Sequence, residues 1–136
     1  MAAFYFDSFK NHDSTPINDI IGSITQEYSK HHLDLKQQQI EAWKDSIELM
    51  KLTYKYLERF IPDVSNWSIL YEYKIPRRAK RIDIVLLSGN LIFVVEVKNH
   101  QTIFNAHDIA QLEDYCLDLR DFHKESKDRL IVPILL

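Results

Sequence analysis

The sequence predicts an α/β fold in which helices flank a central mixed sheet of four strands. Two segments near the N-terminus repeat apolar residues at helical spacing. Three strand-forming segments with short connections follow, and then an amphipathic helix precedes a last apolar strand. A meander followed by a crossover helix gives both antiparallel and parallel pairs, which makes the sheet mixed. We expect a single domain at 1–136, with a helical extension at 1–33 and a core at 34–136.

Two helices are predicted before the sheet. In the first, Thr15 is the N-cap and Pro16 occupies the first helical position. The second is longer, because Asp34 caps it and Pro62 stops it near Phe60. Its inner face carries Trp43, Ile47, Met50, Tyr54 and Leu57, and its outer face carries Glu41, Asp45, Glu48 and Lys55.

The four strands lie in the second half of the chain. Segment 67–75 alternates apolar and polar residues, as a strand with one buried face does. Segment 81–99 contains two apolar runs joined by Gly89-Asn90, a two-residue turn that matches the type II′ preference and fixes a hairpin. An amphipathic helix then begins at Asn105, and the β-branched segment 129–136 is predicted to be a buried strand.

Charged residues interrupt the two apolar runs of the hairpin. In the register that the turn sets, Asp83 lies directly opposite Glu96, and the next pair on this face joins Arg81 and Lys98. Opposed carboxylates repel when half-buried, and a divalent cation such as Mg²⁺, which prefers oxygen ligands, relieves the repulsion. The alternative is a structural cluster of salt bridges. The metal interpretation depends on the register, because a slip by one residue would put the two acids on opposite faces.

Composition excludes several other classes of protein. The formal net charge of −3 is not that of a globally basic nucleic-acid binder, and two glycines are too few for a Walker A or dinucleotide-binding loop. One cysteine, Cys116, permits no internal disulfide, so a cytoplasmic location is expected. No apolar run approaches the roughly 20 residues of a membrane span, so no membrane partner is expected.

The charged residues of the hairpin resemble the signature of the PD-(D/E)xK nuclease superfamily, which has the restriction-endonuclease-like fold. That signature is an Asp at a strand start, an apolar hairpin and then Glu-x-Lys, and this chain has Asp83 followed by Glu96-Val97-Lys98. The predicted order of elements is also similar to that fold's core. RecB-like members carry a Gln-x-x-x-Tyr motif in the next helix. Gln111 and Tyr115 match it, and the resemblance implies that they position the substrate.

The resemblance implies a nuclease that depends on Mg²⁺ or Mn²⁺ and cleaves DNA, with RNA as the alternative substrate. Asp83 and Glu96 would hold the metal together with the main-chain carbonyl of Val97, and Lys98 would orient or activate the attacking water. The rival interpretation is a non-catalytic module of the same fold that binds nucleic acid or a partner. Such a module would regulate an attached helicase.

Two further groups of residues are candidates for this site. The family often adds an acid from the long helix, and Glu41 and Glu48 are both candidates, with Glu72 on the first strand as a third. A basic segment directly before Asp83 is expected to contact the phosphate backbone, although a solvated loop is the alternative. The basic residues are Arg77, Arg78, Lys80 and Arg81.

A closer resemblance covers segments 71–87, 93–99 and 111–123. These look like the nuclease-like region that precedes the helicase in bacterial Schlafen-type DNA/RNA helicase proteins. Such proteins continue into a P-loop ATPase, which is absent from this sequence. The chain is therefore interpreted as an N-terminal fragment of a longer protein or as a naturally short one. The implied partner is an attached or associated helicase, and the oligomeric state is not indicated.

Overall fold

The computed structural model describes residues 3–30, 37–75, 80–97, 106–122 and 130–136. The first half of the chain contains β1 (Tyr5–Ser8), α1 (Phe9–Ser14), α2 (Ile17–Lys30) and α3 (Gln37–Leu57). A 3₁₀ helix (Pro62–Asn66) leads into β2 (Ser68–Lys74), β3 (Arg81–Leu87), β4 (Leu91–Glu96), α4 (Ala106–Phe122) and β5 (Leu130–Leu135). The predicted N-caps Asp34 and Asn105 lie outside the described residues. Within them, no helix combines the length and the apolar character needed to cross a membrane.

The strands form one sheet in the order β1-β2-β3-β4-β5, with antiparallel pairs except for the parallel pair of β4 and β5. This confirms the α/β class and corrects the strand number, because the sequence predicted four strands. The additional strand is β1, which pairs Tyr5 with Tyr71 and Ser8 with Ser68. Four residues are too few to show the alternation by which longer strands are recognised. The N-terminal segment is therefore not purely helical.

The β3–β4 hairpin has the predicted register. Ile84 pairs with Val95, Leu87 pairs with Ile92, and Ser88 N–H donates to the Leu91 carbonyl at 2.9 Å. The predicted turn type is wrong, because Gly89 does not have a positive φ and a type II′ turn requires one at its first central position. The number of loop residues, which the sequence shows directly, was therefore sufficient to set the register.

Two apolar clusters cover the two faces of the sheet. One face packs under α1, α2 and α3, with Phe9, Ile20, Ile24, Trp43, Ile47, Met50, Ile69, Tyr71, Ile84 and Val95 among its buried residues. The other face packs under α4, with Leu70, Tyr73, Ile75, Ile82, Val85, Val94, Leu112 and Tyr115 among its buried residues. The ends of β3 and β4 thus lie between α3 on one side and α4 on the other.

Lys51 of α3 ties α1 to this core. Its ammonium donates to the carbonyls of His12, Asp13 and Thr15 at 2.6, 2.9 and 2.5 Å, which satisfies the C-terminal carbonyls of α1. His12 is fully buried, and its Nε2 lies 2.7 Å from the Tyr71 hydroxyl. Burial, followed by the nearby charge of Lys51, lowers the pKa of His12 to about 4, so the ring is neutral at neutral pH.

Candidate active site

Asp83 and Glu96 come together at the ends of β3 and β4. The β3–β4 ladder extends to the pair of Ile84 and Val95, and beyond it side chains accept hydrogen bonds from the backbone. Asp83 N–H donates to Glu96 Oε1 at 3.2 Å, and Val97 N–H donates to Asp83 Oδ2 at 3.3 Å. Glu96 is only 5% exposed. Each carboxylate is thus held by the opposing strand, at the ends of two interior strands of the sheet.

Glu72 is placed beside this pair by an unusual backbone conformation. The β2–β3 ladder pairs Tyr71 with Ile84 and Tyr73 with Ile82, but it skips Glu72, whose φ is 53°. Such a left-handed conformation costs a non-glycine residue about 1–3 kcal/mol. It also changes which face of the sheet the strand presents, because Tyr71 packs under α3 whereas Tyr73 packs under α4. The Glu72 side chain turns towards α3, where the Trp43 indole N–H donates to its Oε1 at 2.9 Å.

Arg81 supports the same part of β2. Its guanidinium donates to the main-chain carbonyl of Glu72 at 3.3 Å and lies 4.0 Å from the ring centre of Phe4, a cation–π contact. Arg81 was predicted to contact nucleic acid, and in the structure its guanidinium contacts Glu72 and Phe4 while remaining partly exposed. Lys80 is exposed, whereas Arg77 and Arg78 lie outside the described residues. The nucleic-acid contacts of this basic segment stay a prediction.

A small pocket lies between α3 and the strand ends. It has a volume of about 40 Å³, which is room for a few water molecules. Gln39, Ala42, Trp43 and Ser46 of α3 line one side, and Glu72, Asp83 and Val97 line the other, with Tyr71. The predicted helix acids Glu41 and Glu48 are exposed instead. The acid that shares this pocket with Asp83 is therefore Glu72.

The electrostatics reflect the concentration of carboxylates. Burial raises the pKa of Glu72 to about 7; the Trp43 hydrogen bond opposes this shift, and the charge of Asp83 adds to it. Burial also raises the pKa of Tyr115 to about 12, with further contributions from Glu96, Asp83 and Glu72. The charges of all three acids therefore act on the Tyr115 hydroxyl.

Gln111 and Tyr115 lie on the face of α4 that packs against the sheet. Gln111 Nε2 donates to the Tyr115 hydroxyl at 2.8 Å, and Tyr115 is only 4% exposed. The charge of Glu96 acts on the Tyr115 hydroxyl, which places this pair on the α4 side of the acids. The structure thus brings the two predicted residues together, and their action on a substrate stays a prediction.

The predicted metal ligands are two carboxylates and the main-chain carbonyl of Val97. All three are oxygen donors, which suit Mg²⁺ or Mn²⁺, and Mg²⁺ commonly binds one or two carboxylates and keeps several waters. Across the described parts of the chain, no group of three or more His, Cys, Asp or Glu side chains is arranged to hold a metal ion. The predicted third member of the triad, Lys98, lies outside the described residues.

The family model of the nuclease-related domain (NERD) matches residues 46–131 of the chain. The match covers more than half of the chain. The chain belongs to the nuclease-related domain family. No curated protein and no solved structure matches it.

The NERD match contains the three acids and the Gln111–Tyr115 pair, but it omits some of their supports. Trp43, which donates to Glu72, and Phe4, which covers Arg81, both precede residue 46. The nuclease-related domain of this chain therefore uses contacts from outside the matched segment. Glu72 was predicted only as the third candidate, after the helix acids, and strand alternation gives no sign of its positive φ. An acid within an otherwise apolar strand was the available signal.

Proposed function

We propose that this nuclease-related domain is a metal-dependent nuclease that hydrolyses phosphodiester bonds in DNA, with RNA as the alternative substrate. The observation that carries the proposal is the convergence of Asp83 and Glu96 at the ends of β3 and β4, each hydrogen-bonded to the opposite strand. Membership of a nuclease-related family supports the same chemistry. More specifically, we propose that the active site is of the PD-(D/E)xK type.

Asp83 and Glu96 would hold Mg²⁺ or Mn²⁺ together with the carbonyl of Val97. A cation bound there lowers the pKa of a coordinated water and offsets charge on the phosphate. Burial of Glu96 strengthens these electrostatic effects because little water screens them. Lys98 acts on the attacking water and on the negative charge that develops in the transition state.

The α4 side of the site positions the substrate in this proposal. The Gln111 amide already donates to Tyr115, which fixes the orientation of both side chains. Gln111 is partly exposed, so its remaining amide group can contact a phosphate or sugar. The exposed Lys80, with Arg77 and Arg78, supplies positive charge for a phosphate backbone.

The test is cleavage of single- and double-stranded DNA and of RNA by the parent protein in Mg²⁺ or Mn²⁺. We expect cleavage with either metal, none with EDTA, and loss of cleavage in both Asp83→Asn and Glu96→Gln. Glu113 is an exposed acid on α4, so Glu113→Gln is the matched control and should cleave as the parent does. A parent protein that binds nucleic acid but cleaves no substrate would overturn the nuclease proposal and favour the binding module.

A further inference from the structure

The conformation of Glu72 determines which face of the sheet receives its carboxylate. Continued alternation from Tyr71, which packs under α3, would direct Glu72 towards α4. The positive φ directs it into the pocket that Asp83 and Val97 also line. Strained residues of this kind persist only where the surrounding contacts fix them, and they are concentrated at functional sites.

Two contacts fix Glu72 without occupying its whole carboxylate. Trp43 donates to Oε1, and Arg81 donates to the main-chain carbonyl. Within the described part of the chain, no hydrogen bond is made to Oε2. Among the described residues, this oxygen can therefore accept a further hydrogen bond, and Glu72 lines a pocket large enough for water.

We infer that Glu72 is a positioning residue, whose Oε2 accepts a hydrogen bond from a water bound to the metal that Asp83 holds. This rests on the proposed function, because it concerns the metal of that site. Mg²⁺ and Mn²⁺ keep several waters when few protein ligands bind them, and those waters need acceptors. Outer-shell acceptors of this kind orient the first-shell groups and affect metal affinity. Trp43 acts through Glu72 by holding the carboxylate in place.

The test measures Mn²⁺ affinity by calorimetry and thermal stability in the absence of metal. Glu72→Gln keeps an oxygen acceptor for Trp43 but removes the charge. We expect its Mn²⁺ affinity to fall about tenfold or more, the usual range for an outer-shell partner, without a decrease in metal-free melting temperature. Trp43→Phe should weaken Mn²⁺ binding to a smaller extent, because Glu72 loses its anchor but keeps its charge. Glu113→Gln is the control and should match the parent.

The possible failures are distinguishable. In one outcome the parent binds Mn²⁺, Asp83→Asn does not, and Glu72→Gln binds as tightly as the parent. This result would overturn the role of Glu72 but would support the proposed metal site. Absence of Mn²⁺ binding in the parent would overturn both. A decrease in melting temperature with unchanged affinity would identify Glu72 as purely structural and would also overturn the inference.

A second, independent observation concerns the outer face of α3. Leu52 and Tyr56 are exposed there at 65% and 62%, and Phe60, in the turn directly after α3, is exposed at 66%. Tyr56 and Phe60 contact one another with ring centres 5.2 Å apart. At about 3.6 residues per turn, exposed charged residues fall on the same stripe. They are Glu41, Asp45 and Glu48 before Leu52 and Lys55 after it, and the exposed Arg59 follows in the turn after α3.

The charges make this stripe complementary to itself. Asp45 and Arg59 each lie seven residues from Leu52, so an antiparallel pairing of two stripes about Leu52 brings each Asp45 near the turn after α3 of the second copy, which carries Arg59. Glu48 lies opposite Tyr56 and near Lys55 in the same pairing. The apolar centre would provide the affinity and the charges the orientation. The stripe shares no residue with the wall that α3 contributes to the pocket.

We propose that this stripe binds a second copy of the chain in an antiparallel α3–α3 dimer. Sedimentation velocity at concentrations up to about 100 μM, a range that detects weak self-association, should show a dimer for the parent. Asp45→Lys and Arg59→Asp should each weaken it, and the two combined should restore it. Glu113→Lys on α4 is the control and should dimerise like the parent. A monomeric parent, or a double variant no better than either single one, would overturn the proposal.

Discussion

Asp83 and Glu96 are held by hydrogen bonds that cross between their two strands. Asp83 N–H donates to Glu96 Oε1, and Asp83 Oδ2 accepts from the N–H of Val97. Each carboxylate thus contributes to the backbone ladder in place of a carbonyl. Their positions are therefore set by the hairpin itself.

The first prediction concerns metal binding and stability. A hundredfold excess of Mn²⁺ over its Kd should stabilise the parent by about 2.7 kcal/mol. Asp83→Asn should lose this effect and stay folded, because an amide oxygen can still accept from Val97 and one of two like charges is removed. Thermal denaturation with and without Mn²⁺ measures both. If Asp83→Asn is strongly destabilised and Mn²⁺ does not affect the parent, the acids belong to a structural salt-bridge cluster.

Lys98 is predicted to act on the chemical step rather than on binding. Lys98→Ala should keep nucleic-acid affinity, measured in Ca²⁺, while cleavage falls by about a hundredfold or more, as when one electrostatic group is lost. Lys98→Arg should not restore cleavage, because a guanidinium has a different shape and stays protonated. Equal cleavage by parent and Lys98→Ala would remove Lys98 from the mechanism.

The basic segment before β3 is predicted to contact phosphates. Replacing both Arg77 and Arg78 by Glu should weaken binding of all sequences and flatten its salt dependence, because phosphate contacts carry no base information. Affinity measured over a series of salt concentrations tests this. The charge-matched control replaces Lys10 and Lys30, which are exposed on α1 and α2, by Glu as well. If both double variants behave alike, the effect is one of net charge.

Stability of the metal-free protein should depend on the protonation of Glu72. Its pKa is about 7 in the folded state and ordinarily 4.5, so the folded state keeps the proton longer and stability falls as pH rises from about 4.5 to about 7. His12, whose pKa is lowered from 6.5 to about 4, has the opposite effect between those values. Glu72→Gln should therefore gain stability relative to the parent across pH 4.5–7. Urea denaturation in EDTA measures the free energy of unfolding of both proteins as a function of pH. Parallel pH profiles for the parent and Glu72→Gln would contradict the prediction.

Lys51 is predicted to be structural. Lys51→Met keeps the apolar stem but removes the hydrogen bonds to the carbonyls at the end of α1, which should cost about 1–3 kcal/mol. Lys55→Met, one turn later and exposed, should change the free energy of unfolding by about 0.5 kcal/mol or less. Equal stability of the two variants in chemical denaturation would show that Lys51 contributes no more than a surface lysine.

The sequence was informative where a local rule fixes a long-range consequence. A two-residue loop determines the hairpin register, so the pairing that brings Asp83 and Glu96 together was predictable. The helix acid was not, because α3 contributes Gln39, Ala42, Trp43 and Ser46 to the pocket, none of them an acid, while Glu41 is exposed. Glu72 depends on a single backbone angle, and β1 depends on pairing with a strand far along the chain. Neither property leaves a periodic pattern.

The topology separates the acids from their supports along the chain. The β3–β4 hairpin closes through a short turn, so its two carboxylates approach each other at a small entropic cost. Other hydrogen bonds near the site join residues that are much further apart in the sequence. Phe4 N–H donates to the carbonyl of Tyr71, and Leu136 N–H donates to the carbonyl of Glu96, both at 3.0 Å. The chain must lose the conformational entropy of closing these loops before such distant pairings can stabilise it. The hairpin with its two acids can thus form early in folding, whereas the contacts around it form only when β1 and β5 join the sheet.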